Sequence, residues 1–335
     1  MSLRLTLLIG IVLAGIACSG PLPMAAPRTK LIQPPPHELA AWPWSSSKVE
    51  ALAKGITLTS ATAPDGTRAE LFQIDLTLNR LNLYDQDQDD TSPHDNAADY
   101  SRTVDQLLPH LEEVAGCQAL LAWNGPFFAY DPPVARHIGP VVQNGKLHYN
   151  VGNHRWTFTA KGTHFDILHM PDKRFLEAKH LDFGVAGVQA LIKDGKPLNL
   201  EPFPDYEDQI KRPPVPSTPA DAGHIPLVDH MRTSRTSLAW SKDGKLLKVL
   251  IVTESDHELG SKLGLKRGEP QGAGWTLADL QRFWLARKAW CAINSDGGDV
   301  TQRVYRRPKG SLDVVLPRKR EGTLMSFFVT AKQSS

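Results

Sequence analysis

A strong net charge of one sign is absent from this 335-residue sequence, in which 38 lysines and arginines face 36 aspartates and glutamates, a formal net charge of +2. That balance argues against a basic nucleic-acid-binding arm and against a polyacidic tail. Hydrophobic residues make up 41% and charged residues 22% of the chain. These proportions are ordinary for a globular protein, and they exclude both a wholly disordered chain and a multi-span membrane protein.

Several motifs that announce particular chemistries are also missing. The sequence has only three cysteines, and the distance between Cys117 and Cys291 excludes a CxxC redox motif and a cysteine-rich zinc site. Its 12 histidines do not form His-Glu-x-x-His or a comparable metal-binding spacing. Gly-x-Ser-x-Gly, a Walker loop and a dinucleotide fingerprint are lacking as well. Acyl transfer, nucleotide triphosphate hydrolysis and hydride transfer therefore lose support, and we expect no cofactor, although the sequence leaves a divalent metal open.

The N-terminus has the pattern of an export signal. Arg4 precedes the apolar stretch Leu5–Ala17, which ends in small residues, and the run is too short for a comfortable transmembrane helix. We therefore predict that residues 1–26 are a signal peptide and that the protein is periplasmic or extracellular. Cys18 directly follows the stretch and could carry a lipid anchor, although Gly15 stands where a lipoprotein signal has a large aliphatic residue. A lipid on Cys18 would be the only membrane attachment.

The other two cysteines would then lie in a compartment that permits disulfides. Cys117 and Cys291 each begin an apolar, strand-like run that leads into a distinctive polar motif. We expect a disulfide between them, and the alternative is two buried thiols.

Proline is abundant, with 26 residues, which predicts many loops and few long helices. Residues 27–50 contain Pro34-Pro-Pro and read as a stiff tether. A single catalytic-type domain is expected over residues 51–335, interrupted near residues 205–226 by a proline-rich surface insertion that could form a lid.

Hydrophobic periodicity and turn residues predict an α+β fold of mixed, mostly antiparallel sheets with a few packing helices. Helices are expected over Thr103–Ala115, closed by Gly116, and over Thr276–Lys288, where Thr276 and Asp279 have the spacing of a capping box. Asx-Gly turns predict three hairpins, at Asn144-Gly, Asp194-Gly and Asp243-Gly. Alternating runs between Ile56 and Tyr84 predict a strand meander.

The run Asp85-Gln-Asp-Gln-Asp-Asp has the alternation of a calcium-binding loop. It lacks the glycine at position six and the glutamate at position twelve that such loops use. A solvated acidic turn is the preferred interpretation.

Three polar segments lie at the ends of apolar strands: Asn124-Gly-Pro-Phe-Phe, Arg232-Thr-Ser-Arg-Thr-Ser and Asn294-Ser-Asp-Gly-Gly-Asp. Binding and catalytic residues gather at strand ends, although Asn-Gly and Asp-Gly-Gly alone are also ordinary turn formers. In this order, and together with the two hairpins that begin at Gly139-Pro and Ala190-Leu, the segments resemble the phosphodiester glycosidase family. The resemblance spans roughly residues 70–330.

The resemblance implies a hydrolase that cleaves a sugar-1-phosphate diester, with the catalytic groups on these segments. Asp296 would be the main catalytic carboxylate, near an oxocarbenium-like carbon. Arg235 would bind the phosphate, because a guanidinium makes two parallel bonds to phosphate oxygens. Glu254 is a candidate base, and Asp299 is the other candidate for a second carboxylate. The implied substrate-binding residues are Asn124, Gly125, Phe128, Thr236, Asn294, Gly297 and Gly298.

The sequence departs from the family pattern at three places. Pro126 replaces a glycine and removes one N–H donor, Asp299 adds a negative charge where an anionic substrate is expected, and Val188-Gln189 replaces a Gly-Pro pair. Pro126 and Asp299 leave a second function open, a non-catalytic module that binds polysaccharide or cell wall. The preferred partner is a carbohydrate phosphodiester or a cell-envelope glycan, with no nucleic acid.

Overall fold

The computed structural model describes residues 47–89, 95, 97–99, 102–131, 134–149, 156–169, 180–198, 200, 232–255, 257, 274–318 and 322–332. All of them belong to one compact unit that spans Pro34–Ser335. The expected signal peptide, nearly all of the tether, and the insertion near 205–226 lie outside the described residues. The first strand begins at Lys48, so the last residues of the expected tether already belong to the sheet.

Twenty strands and two helices are described, and every strand pair among them is antiparallel. The strands are β1 Lys48–Ala53, β2 Ile56–Thr62, β3 Arg68–Asp75, β4 Asn79–Asp85, β5 Ala98–Asp99, β6 Ala119–Asn124, β7 Phe128–Asp131, β8 Val134–His137, β9 Val141–Gln143, β10 Lys146–Tyr149, β11 Trp156–Lys161, β12 His164–His169, β13 Phe183–Lys193, β14 Lys196–Pro197, β15 Arg235–Trp240, β16 Leu246–Thr253, β17 Cys291–Asn294, β18 Arg303–Arg306, β19 Leu312–Val315 and β20 Met325–Ala331. The helices are α1 Val104–Ala115 and α2 Leu277–Ala286.

The strands form two large sheets and one small one. The first sheet has the order β1-β2-β3-β16-β15-β17-β13-β11-β12, with β9, β10 and β14 attached at its side. The second has the order β19-β18-β6-β20-β4, and β5, β8 and β7 form a third. Within the described residues the fold is therefore predominantly β, which corrects the expectation of a more balanced α+β fold.

Residue alternation explains how the sheets stack. In β17, Cys291 and Ile293 belong to the main core between the two large sheets, whereas Ala292 belongs to the core that α2 covers. In β20, Phe327 faces the main core and Phe328 faces α1. Since successive side chains of a strand point to opposite faces, each large sheet buries one face against the other sheet and part of its outer face against a helix.

The local predictions from turns and helix caps are confirmed. All three Asx-Gly turns connect paired strands, and at the first of them Asn144 and Gly145 both have positive φ, 49° and 74°, which a two-residue hairpin turn requires. Both predicted helices are present, and Thr276 and Asp279 form the expected capping box.

The predicted meander is wrong in its last step. β2 and β3 pair as expected, but β4 leaves that sheet and pairs with β20 at the edge of the second sheet. A buried ion pair joins the same two sheets, because Glu70 of β3 accepts two bonds of 2.8 Å from Arg303 of β18.

The solvated acidic turn is also wrong for its first half. Asp85 and Asp87 are fully buried, where Asp85 lies 3.0 Å from the His137 ring and Asp87 accepts a hydrogen bond from the Tyr149 hydroxyl. Tertiary packing supplies these partners, which a local pattern of aspartates does not reveal.

The expected disulfide is not formed. Cys117 and Cys291 are free thiols, the first half-buried and the second buried. The two cysteines are associated with different sheets: Cys117 lies just before β6 of the second sheet, and Cys291 is the first residue of β17 in the first sheet. Burial raises the pKa of the Cys291 thiol, so this side chain packs as a neutral apolar group.

Candidate active site

The ends of β6, β15 and β17 meet at one place, and the Asn124 side chain joins them. Its Nδ2 donates to the Asp296 carbonyl at 2.9 Å, while its Oδ1 accepts from the Thr236 hydroxyl at 3.1 Å and from the Gln302 N–H at 3.1 Å. Asn124 and Thr236 are fully buried. Both side chains thus hold the site together, and their direct contact with substrate stays a prediction.

Asp296 and Arg235 lie on adjacent chain segments. β15 and β17 pair Ser237 with Asn294, and the bond from the Ser295 N–H to the Thr236 carbonyl extends this register. Beyond this bond the ladder register changes, because the Gly298 N–H donates to the Ser234 carbonyl at 2.7 Å, and the backbone after Asp296 packs on Ser234 and Arg235. The segments that carry the Asp296 carboxylate and the Arg235 guanidinium are therefore adjacent at the ends of two central strands.

The two side chains are oriented by nearby backbone groups. The Asp296 Oδ1 atom accepts from the Gly297 N–H at 2.7 Å, and the Arg235 Nε donates to the Trp275 carbonyl at 2.9 Å. Asp296 is 9% exposed and Arg235 2% exposed. The carboxylate is thus the more accessible of the two groups.

The Asp-Gly-Gly loop, residues 296–301, needs a glycine at position 297. A Cβ atom there would lie 2.7 Å from the Ser234 carbonyl oxygen and 3.4 Å from the Arg235 Cα. The Ser234 carbonyl accepts from the Gly298 N–H at 2.7 Å, so the loop packs directly on the segment that carries Arg235. Gly297 and Gly298 are both half-buried, which places them at the rim of the site.

The Asn124-Gly-Pro-Phe-Phe segment borders the same place. The Gly125 carbonyl accepts from the Ser295 hydroxyl at 2.7 Å, and the Phe127 N–H donates to Gly187 of β13 at 2.8 Å. Phe128 is half-buried and pairs with His137 in the small sheet. The segment therefore lies against β13, β17 and the small sheet at once.

Asn294 lies deeper than Asp296. Its Nδ2 donates to the Gln189 Oε1 at 3.2 Å, while its fully buried Oδ1 has no hydrogen-bond partner within the described ranges. Gln189, which departs from the family pattern, thus binds a motif residue directly.

The two candidates for a second carboxylate are placed differently. Glu254 is buried and accepts from the Arg318 Nη1 at 2.9 Å, so its carboxylate is held by an arginine. Asp299 is half-buried in the Asp-Gly-Gly loop, where its carbonyl accepts from the Arg318 N–H at 2.8 Å. The ion pair weakens the case for Glu254 as a base.

Sequence reasoning missed two residues of the site, Ser234 and His257. The Ser234 hydroxyl lies 3.0 Å from the His257 Nδ1 and accepts from the Glu254 N–H at 3.0 Å. Burial lowers the pKa of His257, and two backbone hydrogen bonds offset this shift only in part. Ser234 lies within the Arg232-Thr-Ser-Arg-Thr-Ser segment, whereas His257 belongs to no motif or residue spacing that indicates a functional site.

The described residues of this region do not form a metal-binding cluster. Within the described ranges, no three histidine, cysteine, aspartate or glutamate side chains come close enough together to hold a metal ion.

Neither described helix is long and apolar enough to cross a membrane.

Two of the solved structures that share the fold match most of this chain. One is a hypothetical protein from Synechocystis, at 11% identity and a TM-score of 0.52, where the match covers 85% of this chain and 64% of that protein, less than two thirds of its length. The other is the zebrafish N-acetylglucosamine-1-phosphodiester alpha-N-acetylglucosaminidase catalytic domain, auto-inhibited by its pro-peptide, at 16% identity and a TM-score of 0.51. That match covers 84% of this chain and 87% of the zebrafish domain.

No curated protein sequence matches the chain at a significant level. The phosphodiester glycosidase sequence model matches residues 117–324, which include β6, β15, β17 and the polar segments at their ends. This range is 208 of 335 residues, well over half of the chain. The chain belongs to the phosphodiester glycosidase family.

Proposed function

We propose that the protein is an exported hydrolase that cleaves the glycosidic bond of a sugar-1-phosphate diester in a glycan or cell-envelope substrate. The observation that carries the proposal is that the loop that begins with Asp296 packs directly on the segment that carries Arg235, in a chain that belongs to this family. A carboxylate and a guanidinium on adjacent segments match a substrate whose reacting carbon is bonded to a phosphate.

Asp296 acts in this proposal as the catalytic carboxylate. The Gly297 N–H donates to one of its oxygens and so orients the carboxylate. The ionised carboxylate stabilises, or attacks, the carbon that becomes electron-poor as the bond to phosphate breaks. Phosphate is a good leaving group, so the reaction does not need a strong general acid.

Arg235 supplies positive charge to the departing phosphate. Its bond to the Trp275 carbonyl fixes the plane of the guanidinium, which saves the entropy of ordering a long side chain at the moment of reaction. Phe128 forms part of the wall, and the backbone at Gly297 and Gly298 lets the substrate approach closely.

The test is product release from a panel of sugar-1-phosphate diesters by wild type, Asp296→Asn and Arg235→Lys. We expect turnover by wild type, a loss of at least about a hundredfold in Asp296→Asn, and a raised KM in Arg235→Lys. The enzyme could cleave the bond between sugar carbon and oxygen or the bond between phosphorus and oxygen. Reaction in ¹⁸O-labelled water distinguishes the two, because C–O cleavage puts the label on the sugar and P–O cleavage puts it on phosphate.

The low exposure of Arg235 favours a second candidate, a polysaccharide-binding module that has kept the fold without catalysis. This alternative gains if no diester is turned over while binding to a glycan survives in Asp296→Asn. A structural role for Arg235 would show as lost stability in Arg235→Lys with an unchanged KM.

A further inference from the structure

The Asp-Gly-Gly loop is tied to the protein by a buried histidine that has no part in the proposed chemistry. The His257 Nε2 lies 2.8 Å from the Thr301 carbonyl and 3.1 Å from the Leu316 carbonyl. Thr301 ends the loop, and Leu316 belongs to the segment that leads from β19 to Arg318. One imidazole thus joins the loop to a second chain segment.

Hydrogen-bond chemistry fixes the form of this imidazole. Both neighbours of Nε2 are carbonyl oxygens, which only accept, so Nε2 carries the proton. In a neutral ring Nδ1 is then an acceptor, and the Ser234 hydroxyl donates to it at 3.0 Å. Ser234 and His257 are both fully buried.

We propose that His257 is a positioning residue whose neutral imidazole holds the Asp-Gly-Gly loop in place, and that protonation of this ring in acid releases the loop. Ser234, His257 and the Thr301 and Leu316 carbonyls together form the His257 clamp. Only the catalytic consequence rests on the proposed function, because the clamp itself is a feature of the fold.

Protonation disrupts the clamp for two reasons. A second ring proton on Nδ1 would face the Ser234 hydroxyl hydrogen, which would have to rotate away from its acceptor Nδ1, because the oxygen would then accept from both Nδ1 and the Glu254 N–H. The charge would also be buried. Burial lowers the pKa of His257 below its usual 6.5 as the largest effect, and the bonds to Thr301 and Leu316 counteract it.

The charged groups around the ring come from three elements. Arg318, from the segment after β19, lowers the pKa of His257, whereas Asp299, on the loop itself, raises it. Glu254 follows β16 and is engaged by Arg318 at 2.9 Å. Burial and the Arg318 charge thus both oppose protonation, and the clamp is intact at neutral pH.

Release of the clamp acts on the site through the loop backbone. The Gly298 N–H donates to the Ser234 carbonyl at 2.7 Å, and the Arg318 N–H donates to the Asp299 carbonyl at 2.8 Å. The loop is thus bonded to the Ser234 segment and to the segment of Leu316 and Arg318, which are the same two segments that His257 contacts. Asp296 begins this loop, and its carboxylate depends on the Gly297 N–H for its orientation. Loss of the clamp would therefore loosen the catalytic carboxylate.

Hydrogen exchange of the loop amides tests the proposal without any substrate. In the opened loop the ring regains a pKa of about 6.5, so opening should become more frequent at pH 5.5 than at pH 7.5, by at most about tenfold. We expect this rise for the Gly298, Thr301 and Arg318 amides after correction for intrinsic exchange. Equal corrected protection at the two pH values would overturn the proposal.

Two variants separate the clamp from a general effect of acid. His257→Gln keeps an N–H₂ donor for the carbonyls and cannot be protonated, so its loop exchange should lose the acid response. His110→Gln removes a half-buried histidine of α1 that contacts Asp89 and Glu113, and it should respond as wild type does. A full acid response in His257→Gln would contradict the clamp.

A ring titration needs no variant and covers the case in which His257→Gln fails to fold. Nitrogen NMR of the wild type should show His257 with the proton on Nε2 and neutral at pH 6.5. A proton on Nδ1, or titration at or above pH 6.5, would refute the proposal.

Turnover separates failure of the clamp from failure of the proposed function. If the protein is a hydrolase, kcat/KM should fall in acid in wild type and fall less in His257→Gln. Absence of turnover on every diester would refute only the proposed function, because hydrogen exchange and the His257 titration test the clamp independently of activity.

Discussion

The ion pair between Glu254 and Arg318 gives the sharpest test of how the site is divided between chemistry and structure. Each side chain is 6% exposed, and the Arg318 Nη1 lies 2.9 Å from the Glu254 carboxylate. Removing one partner of a buried pair leaves the other charge in a poorly solvated place, which costs about 3–5 kcal/mol. We therefore expect Arg318→Met to lower the free energy of unfolding by about 3–5 kcal/mol.

Replacing both charges removes this penalty. The double variant Glu254→Met/Arg318→Met should be more stable than Arg318→Met alone, because no buried charge is left without its partner. Glu254→Gln keeps an oxygen that can accept from Arg318 and should cost less, about 1–3 kcal/mol. Urea unfolding followed by tryptophan fluorescence measures all four proteins, and comparison of the midpoints at constant slope gives the differences.

The same variants decide whether Glu254 is a catalytic base. If it serves only the ion pair, Glu254→Gln should keep most of the wild-type turnover at a temperature where it is folded. Abolished turnover at unchanged stability would refute our reading of the ion pair and restore Glu254 as a base. A cost below about 1 kcal/mol for Arg318→Met would show that the pair is not buried in solution.

Three further predictions concern the loop, a helix cap and acid stability. Gly297→Ala should destabilise by about 1–3 kcal/mol and reduce turnover, because its Cβ would lie 2.7 Å from the Ser234 carbonyl oxygen; unchanged urea unfolding would contradict this close packing. Thr276→Ala should cost about 1 kcal/mol, since the hydroxyl accepts from the Asp279 N–H at 3.1 Å at the start of α2, and Thr276→Ser should restore most of it in the same assay. Burial would raise the pKa of Asp313, but two neighbouring arginines outweigh it and hold the pKa below 3.8, so this carboxylate contributes stability that is present above pH 3.8 and lost as the pH falls further. Asp313→Asn should therefore flatten the acid limb of a stability-against-pH curve, and an identical limb in wild type and variant would argue against this contribution.

Part of the site was visible in the sequence because its motifs act locally. The Asp-Gly-Gly and Asn-Gly segments break the chain after apolar strands, and their order identified the family. Turns and helix caps were predictable for the same reason. Asn144 and Gly145 adopt the positive φ angles of a hairpin turn, and the Thr276 hydroxyl accepts from an N–H only three positions away. Such effects depend on a few consecutive residues, so tertiary context did not alter them.

Tertiary structure decided which strand ends meet and what each buried charge contacts. β4 crosses to the second sheet, Asp85 is buried beside His137, and Glu254 meets an arginine 64 positions later in the chain. His257 belongs to the same class, because its partners Ser234, Thr301 and Leu316 come from three separate segments. Contacts between distant residues follow from how whole sheets pack, and a single sequence records the residue types at those contacts without recording their pairing.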